Sequence, residues 1–302
     1  MVIAKIIGGL GNQLFQYAAG RRLANVCGAE FKLDLTGFDD YALHAYGLNR
    51  FLITAPAALP VEIEAVKGKI HPGILGKVVR RLGNYGILGE NPNYLREPKD
   101  KFDFSVLNHR GDAYMEGYWQ NEKYFKDAES IIRREYRLKE PLSKPSLEAQ
   151  KMIEAANSVS VHIRRADYLA DKKARQIYAT VGLAYYKAAI SRVAAMVSNP
   201  TFFVFSDDIS WAKENFKFSY QMIFMDFNGP ERNYEDLYLM SRCEHHIIAN
   251  STFGWWGAWL CENPEKIVFA PERWFNRKPR DADRYPAGWM SVQTVKTENK
   301  FN

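Results

Sequence analysis

The residues best equipped for chemistry stand together in His162-Ile163-Arg164-Arg165-Ala166-Asp167. Just ahead of them, Val159-Ser160-Val161 alternates β-branched and small polar side chains, the pattern of a buried strand. A strand ending in two guanidinium groups puts positive charge at the lip of a sheet. In open α/β sheets ligands bind beyond those carboxyl ends. Arginine stays charged at any physiological pH, and its planar fork meets phosphate oxygens two at a time. A phosphate-recognising strand end at Arg164 and Arg165 is therefore expected. The competing reading is internal: one or both arginines pair with a carboxylate such as Asp167.

A second cluster is Asn250-Ser251-Thr252-Phe253-Gly254-Trp255-Trp256-Gly257-Ala258-Trp259, where a strand ends in three small hydrogen-bonding residues as a helix begins. The free amides and dipole of such a start attract an anion. The tryptophans pack the helix into the core, and Gly254 and Gly257 allow close approach. The arginine pair, Arg164 and Arg165, and this helix start would then converge on one diphosphate without a metal. Ser206-Asp207-Asp208, at another strand end, reads first as a helix cap and second as a ligand contact. Asp236, on the helix before the second cluster, could accept two hydrogen bonds from a guanine edge; taken alone it is equally a surface acid. Asp281-Ala282-Asp283 has a spacing that can hold a divalent ion. It sits among Arg280, Arg284 and Pro286 in a polar tail, so a solvated salt-bridge cluster is the simpler reading. No His/Cys cluster has zinc spacing, and no metal is expected.

These residues need a scaffold, and the chain reads as an α/β one. Val2 to Ile7 forms a strand, Gly8-Gly9-Leu10-Gly11-Asn12-Gln13 a glycine-rich turn, Leu14 to Val26 a helix stopped by Gly28, and Glu30 to Leu35 a second strand. Glycines at 8, 9 and 11 do not fit G-x-G-x-x-G, so a dinucleotide site is the weaker reading. What they require is close backbone approach, to a ligand or a neighbouring strand. Tyr114 to Gln120 reads as a strand ending in polar and aromatic residues, followed by a helix over 121–134 capped by Asn121. Pro141 and Pro145 mark a linker, which divides the chain into 1–143 and 144–302. Beyond it, helices and strands alternate regularly. Helices are expected near 146–156, 183–197, 233–243 and 252–261, and strands near 201–205, 221–225, 245–249 and 267–270. That alternation makes a parallel, Rossmann-like sheet. A polar tail follows, free to pack back on the N-terminal half.

Composition narrows the partners. With 302 residues and 47% hydrophobic content the chain can build a large core. A net charge of +6 suits anionic small molecules, but no long basic run exists, so nucleic acid is not an expected partner. Cys27, Cys243 and Cys261 lack metal spacing and read as reduced thiols. No stretch reaches the roughly 18 apolar residues of a membrane span, and no charged leader precedes a long apolar run. A cytoplasmic protein is expected. The basic, amphipathic Ile74 to Leu82 segment could touch the inner face of the membrane, although a solvated helix face is the simpler reading.

Together, Gly8-Gly9-Leu10-Gly11-Asn12-Gln13-Leu14-Phe15-Gln16-Tyr17-Ala18, His162-Ile163-Arg164-Arg165-Ala166-Asp167, Ser206-Asp207-Asp208 and Ser251-Thr252-Phe253-Gly254-Trp255-Trp256-Gly257 resemble the α-1,2-fucosyltransferases of glycosyltransferase family 11. The arginine element is also similar to that of α-1,6- and protein O-fucosyltransferases, so it identifies GDP-fucose use better than linkage. The resemblance implies a GT-B-like α/β fold, two Rossmann-type domains facing across a cleft, with the C-terminal one holding GDP-fucose and the N-terminal one on the acceptor side. It implies inverting, metal-free transfer to the 2-hydroxyl of a galactose in an oligosaccharide, surface polysaccharide or glycolipid. Arg164 would bind the β-phosphate, His162 and Asp236 the guanosine end, and Ser251 and Thr252, beside Asn250, the diphosphate. Asn12 and its neighbour Gly11 would face the fucose and the acceptor. Asp34, Glu116, Asp167 and Asp171 are the candidate bases. A nucleotide-sugar oxidoreductase using the N-terminal turn and a non-catalytic glycan-binding module are the rival readings.

Overall fold

Val2–Lys5 (β1) is flanked on one side by Phe31–Asp34 (β2) and on the other by Ala113–Glu116 (β4), with Tyr94–Arg96 (β3) outside β4. All these pairings are parallel, with Val2 opposite both Phe31 and Ala113. The computed structural model describes residues 1–39, 43–68, 91–98, 102–165, 179, 181–276 and 284–293. It divides into two units, Met1–Lys139 and Glu140–Asn302.

In the first unit, α1 (Leu10–Cys27) covers the sheet. Gly20 lies so close to the strands that a Cβ there would fall 2.6 Å from the Phe31 ring and 2.9 Å from Ala4. Gly28 ends the helix in the left-handed region (φ 58°). Its N–H reaches Asn25 O and that of Ala29 reaches Ala24 O, which satisfies two terminal carbonyls. Two glutamines, Gln13 and Gln16, are fully buried on this largely apolar helix. Gln16 accepts the Ile7 N–H (2.9 Å) and donates to Gly117 O (3.1 Å), joining the segments that follow β1 and β4. Gln13 donates to Gly8 O and Ala45 O and accepts from Gly47 N.

The long helix expected over 121–134 is broken. Asn121 does cap, accepting the Lys123 N–H, but it opens only a turn over Glu122–Tyr124, and α4 runs from Glu129 to Glu135. The break lets the consecutive residues Tyr124 and Phe125 both point inward, onto Trp119 and Phe15 respectively. A continuous helix would turn them about 100° apart. Between lie α2 (Pro60–Lys67) and the short α3 (Phe104–Asn108).

The second unit opens with α5 (Lys144–Glu154), which carries Pro145 in its first turn, where the missing N–H costs nothing. Its parallel sheet has the order β10-β9-β8-β5-β6-β7. The strands are Ser158–Ile163 (β5), Thr201–Ser206 (β6), Gln221–Phe224 (β7), His245–Ile247 (β8), Val268–Pro271 (β9) and Met290–Val292 (β10). The helices are α6 (Leu183–Met196), α7 (Ile209–Asn215), α8 (Asn233–Arg242) and α9 (Thr252–Leu260). The tail is not merely polar: β10 adds an edge strand, Met290 opposite Phe269. Val159, Val161 and Ile163 pack into a core with Tyr185, Ala189, Val193, Phe202 and Val204. The period of two then turns Ser160 and His162 to the other face, where Ser160 Oγ bonds His246 Nδ1 at 2.8 Å. The cysteines are free thiols. No helix of the described residues is long and apolar enough to cross a membrane, and 74–82 lie outside those residues.

Replacing Gln16 with Leu would strand the Ile7 N–H and the Gly117 carbonyl. The expected loss is about 1–3 kcal/mol, seen as a lower urea midpoint at unchanged slope. An unchanged midpoint would mean that Gln16 does not fasten these segments.

Candidate active site

The chain leaves β5 toward β6 and β7, then crosses back to place β8, β9 and β10 on the opposite side of β5. Strand order therefore reverses between β5 and β8, and at such a switch point diverging connections open a crevice at the carboxyl edge. His162 sits at that end of β5, 5% exposed, and its Nδ1 has no hydrogen-bond partner among the described residues. It faces the start of α9: a Cβ on Gly254 would lie 2.6 Å from Nδ1, and the Phe253 ring is 5.6 Å away. Any larger residue at 254 would push the helix from the strand. Burial and the Arg164 charge lower the His162 pKa to about 3. The imidazole is thus neutral at physiological pH and offers one N–H and one lone pair.

Arg164 and Arg165 follow immediately, and the second strand-end cluster meets them. Arg164 Nε lies 3.4 Å from Asp207 Oδ2, and Asp207 Oδ1 accepts the Arg165 N–H at 2.8 Å. The Arg165 guanidinium stacks 3.7 Å from the Trp211 ring centroid, with Nε 3.8 Å from Asp208 Oδ2. Asp208 also caps α7 through the Trp211 N–H. The triplet thus both caps and orients. Partly exposed pairs of this kind add little stability, but they limit where two long side chains can point. Asp167, the partner considered from sequence, lies outside the described residues.

At the end of β8, Ser251 Oγ accepts the Phe253 N–H as the cap of α9. Thr252 is the first residue of that helix, and behind it Trp255 and Trp256 are fully buried. Asn250 is buried, and its Nδ2 donates to Ala179 O (2.8 Å) and Trp274 O (3.0 Å), so its amide nitrogen fastens backbone. Ser251, Thr252, His162 and Arg164 are brought to one carboxyl edge. Asp236 belongs to the first turn of α8 and makes no bond to them. Its Oδ1 accepts from Asn228 Nδ2 at 2.8 Å, and Asn228 also reaches Ser146 Oγ. Desolvation, larger than the opposing Asn228 bond, raises its pKa to about 7.

In the N-terminal unit, Asn12 Oδ1 accepts from Gln120 Nε2 at 2.8 Å, and Gly11 is buried in the first turn of α1. Of the candidate bases, Asp34 is buried and accepts from Thr36 N, Thr36 Oγ1 and the Tyr114 hydroxyl. Glu116 accepts from Lys5 (3.3 Å) and Tyr94 (2.6 Å) and pairs with Lys67 (3.4 Å). Asp171 and Asp281-Ala282-Asp283 lie outside the described residues. Among those described, no group of three or more His, Cys, Asp or Glu could hold a metal ion. Sequence reasoning gave no role to Asn228, nor to the side chains of Gln13 and Gln16 within the glycine-turn motif that it quoted. Only the glutamines carried a signal, as amides on an otherwise apolar helix face.

The chain is similar to several known proteins. The profile of glycosyl transferase family 11 matches residues 88–293. An alpha-1,2-colitosyltransferase of Escherichia coli is 33% identical over 299 residues, 97% of this chain and 99% of that one. A galactoside alpha-(1,2)-fucosyltransferase 1 of Alouatta caraya is 27% identical over 259 residues, 84% of this chain and 63% of that protein. A solved Arabidopsis thaliana FUT1 mutant in complex with GDP aligns with a TM-score of 0.52 at 13% identity, covering 94% of this chain and 74% of that one, a likeness of fold alone. The α/β fold is GT-B-like in class, and with its strand-end arginines and capped α9 start the chain belongs to glycosyltransferase family 11, as an enzyme of the fucosyltransferase type.

Proposed function

We propose that this enzyme transfers L-fucose from GDP-β-L-fucose to the 2-hydroxyl of a terminal β-galactose, with inversion and without a metal ion. The observation that carries the reading is the convergence of neutral His162, Arg164 and the N-terminus of α9 on the β5/β8 switch point. In this reading Arg164 and the amides near Ser251 and Thr252 hold the diphosphate, while His162 and Asp236 meet the guanosine. As the fucose C1–O bond breaks, the sugar becomes oxocarbenium-like and charge grows on the β-phosphate. A donor that strengthens with that charge stabilises the transition state over the ground state. Such a group is worth about 3 kcal/mol, or roughly a hundredfold in rate. Asp34 and Glu116 are held by their own neighbours, which leaves Asp167 and Asp171 as the candidates to take the acceptor proton. A loose transition state asks only for a weak base.

One observation supports a variant donor: the Escherichia coli relative is named for colitose, which is 3-deoxyfucose. Incubation with GDP-fucose or its 3-deoxy analogue, a panel of β-galactosides and EDTA decides between them. Fucosylation at O2 that survives EDTA is the expected result. Hydrolysis alone, transfer only from the 3-deoxy donor, or a metal requirement would each contradict it.

Arg164→Lys is expected to lose about a hundredfold in kcat, because a point charge cannot reproduce the fork; near-normal turnover would remove Arg164 from this role.

Asp236 sets a pH dependence with a definite sign. The carboxylate form accepts the guanine N–H groups, so GDP affinity by calorimetry should be full above pH 7 and fall by up to about tenfold per unit below it.

Because the folded pKa is raised, the contribution of Asp236 to the stability of the ligand-free protein is fully present below the ordinary carboxylate range and is lost as pH rises through about 7. Asp236→Asn should therefore raise the melting temperature at pH 8, by roughly 0.5–2 kcal/mol of stability, with no gain at pH 4, while weakening GDP binding. A variant that binds GDP normally would contradict the assignment.

A further inference from the structure

The geometry points to Tyr118 as the platform on which the acceptor's terminal hexopyranose stacks, an inference that rests on the glycosyl-transfer reading above. Strand order in the N-terminal sheet reverses between β1 and β4, so the crevice of this unit opens where Glu116-Gly117-Tyr118 leaves β4. Tyr118 is 49% exposed there. Neither its ring nor its hydroxyl makes a hydrogen bond or ring contact among the described residues. Phe104, another exposed aromatic, differs in having a ring partner, Phe102, edge-on at 4.6 Å.

The backbone around Tyr118 is held with unusual firmness. Glu97 Oε2 accepts the N–H of both Tyr118 (2.7 Å) and Trp119 (2.9 Å). A Cβ on Gly117 would meet Glu97 Cβ at 2.3 Å. Trp119, fully buried, is in the left-handed region at φ 55°, a conformation costly for a residue with a side chain. From below, Gln16 donates to Gly117 O, and one helical turn earlier Asn12 accepts from Gln120. A strained, four-point anchorage that turns one aromatic side chain outward and buries the next fixes the backbone at Tyr118, and with it the direction of the Cα–Cβ bond, before any ligand arrives. Fixing it beforehand reduces the ordering cost of binding.

The class of ligand follows from the neighbourhood. The Asn12–Gln120 amide pair, reached two residues along the chain from Tyr118, supplies neutral hydrogen-bonding groups, which together with an exposed aromatic ring suit a polyhydroxylated, uncharged ring. Galactopyranose has one apolar face, because its axial O4 leaves the C3 to C6 hydrogens together, and such a face packs flat on a tyrosine.

Saturation-transfer NMR with a β-galactoside and no donor, alongside transfer kinetics, tests this. Tyr118→Ala should raise the acceptor KM about tenfold or more and abolish saturation transfer to H3–H5. Its GDP affinity and melting temperature should match the parent's, and Tyr118→Phe and Tyr118→Trp should restore acceptor binding. An unchanged KM and unchanged NMR contacts in Tyr118→Ala would overturn the platform while leaving fucosyl transfer intact. Equal loss in Tyr118→Phe would overturn it as well, since a hydroxyl would then be the contact. If the parent binds galactosides through Tyr118 yet never transfers fucose, the platform stands and the reaction assignment falls.

Discussion

The contact between the end of one strand and the start of one helix governs the C-terminal unit. His162 and Gly254 approach so closely that a single methyl group would separate them. That approach brings the residues after β5 and the first amides of α9 to one edge, at the place where strand order reverses. It also takes the imidazole out of water and keeps it uncharged beside an arginine. The small residue at 254 and the histidine at 162 are in this sense one feature.

Charge in the same region is arranged to orient instead of to stabilise. Asp207 and Asp208 meet Arg164 and Arg165 at distances of 3.4 and 3.8 Å. In partly exposed positions such pairs contribute at most about 1 kcal/mol. Their use lies in restricting two flexible side chains, with Trp211 as a flat support for the second. Asp236 shows the opposite treatment. It is desolvated with one amide partner, so its charge is costly in the empty protein and available to a partner that brings N–H groups. Stability withheld at such a position is typical of sites shaped for binding.

The N-terminal unit is organised by buried amides. Gln13 and Gln16 each satisfy backbone groups that the glycine turn and the two central strands leave unpaired. An unpaired buried amide costs more than a paired one contributes, so these two side chains fix which loops can lie next to one another. Glu97 does the same for the turn after β4, with a carboxylate serving two N–H groups.

Local pattern alone determined much of this protein. The alternation of apolar and polar residues placed β5 and its arginine end, Gly28 ended α1, and the regular spacing of helices and strands after Pro145 predicted the parallel sheet. These follow from periodicity and backbone freedom, which a short window carries. Tertiary structure decided the rest, because it depends on which distant groups meet. It broke the helix expected over 121–134 so that two adjacent aromatic rings could be buried. It turned Asn250 into a backbone fastener, engaged Asp34 and Glu116 with their own neighbours, and gave the tail an edge strand beside β9. Asp207, read from sequence as part of a cap, became the partner of Arg164, since a partner across strands leaves no trace in local spacing. Residue type announces what a side chain can do; only the packing of the chain against itself decides whether that capacity is spent internally or presented outward.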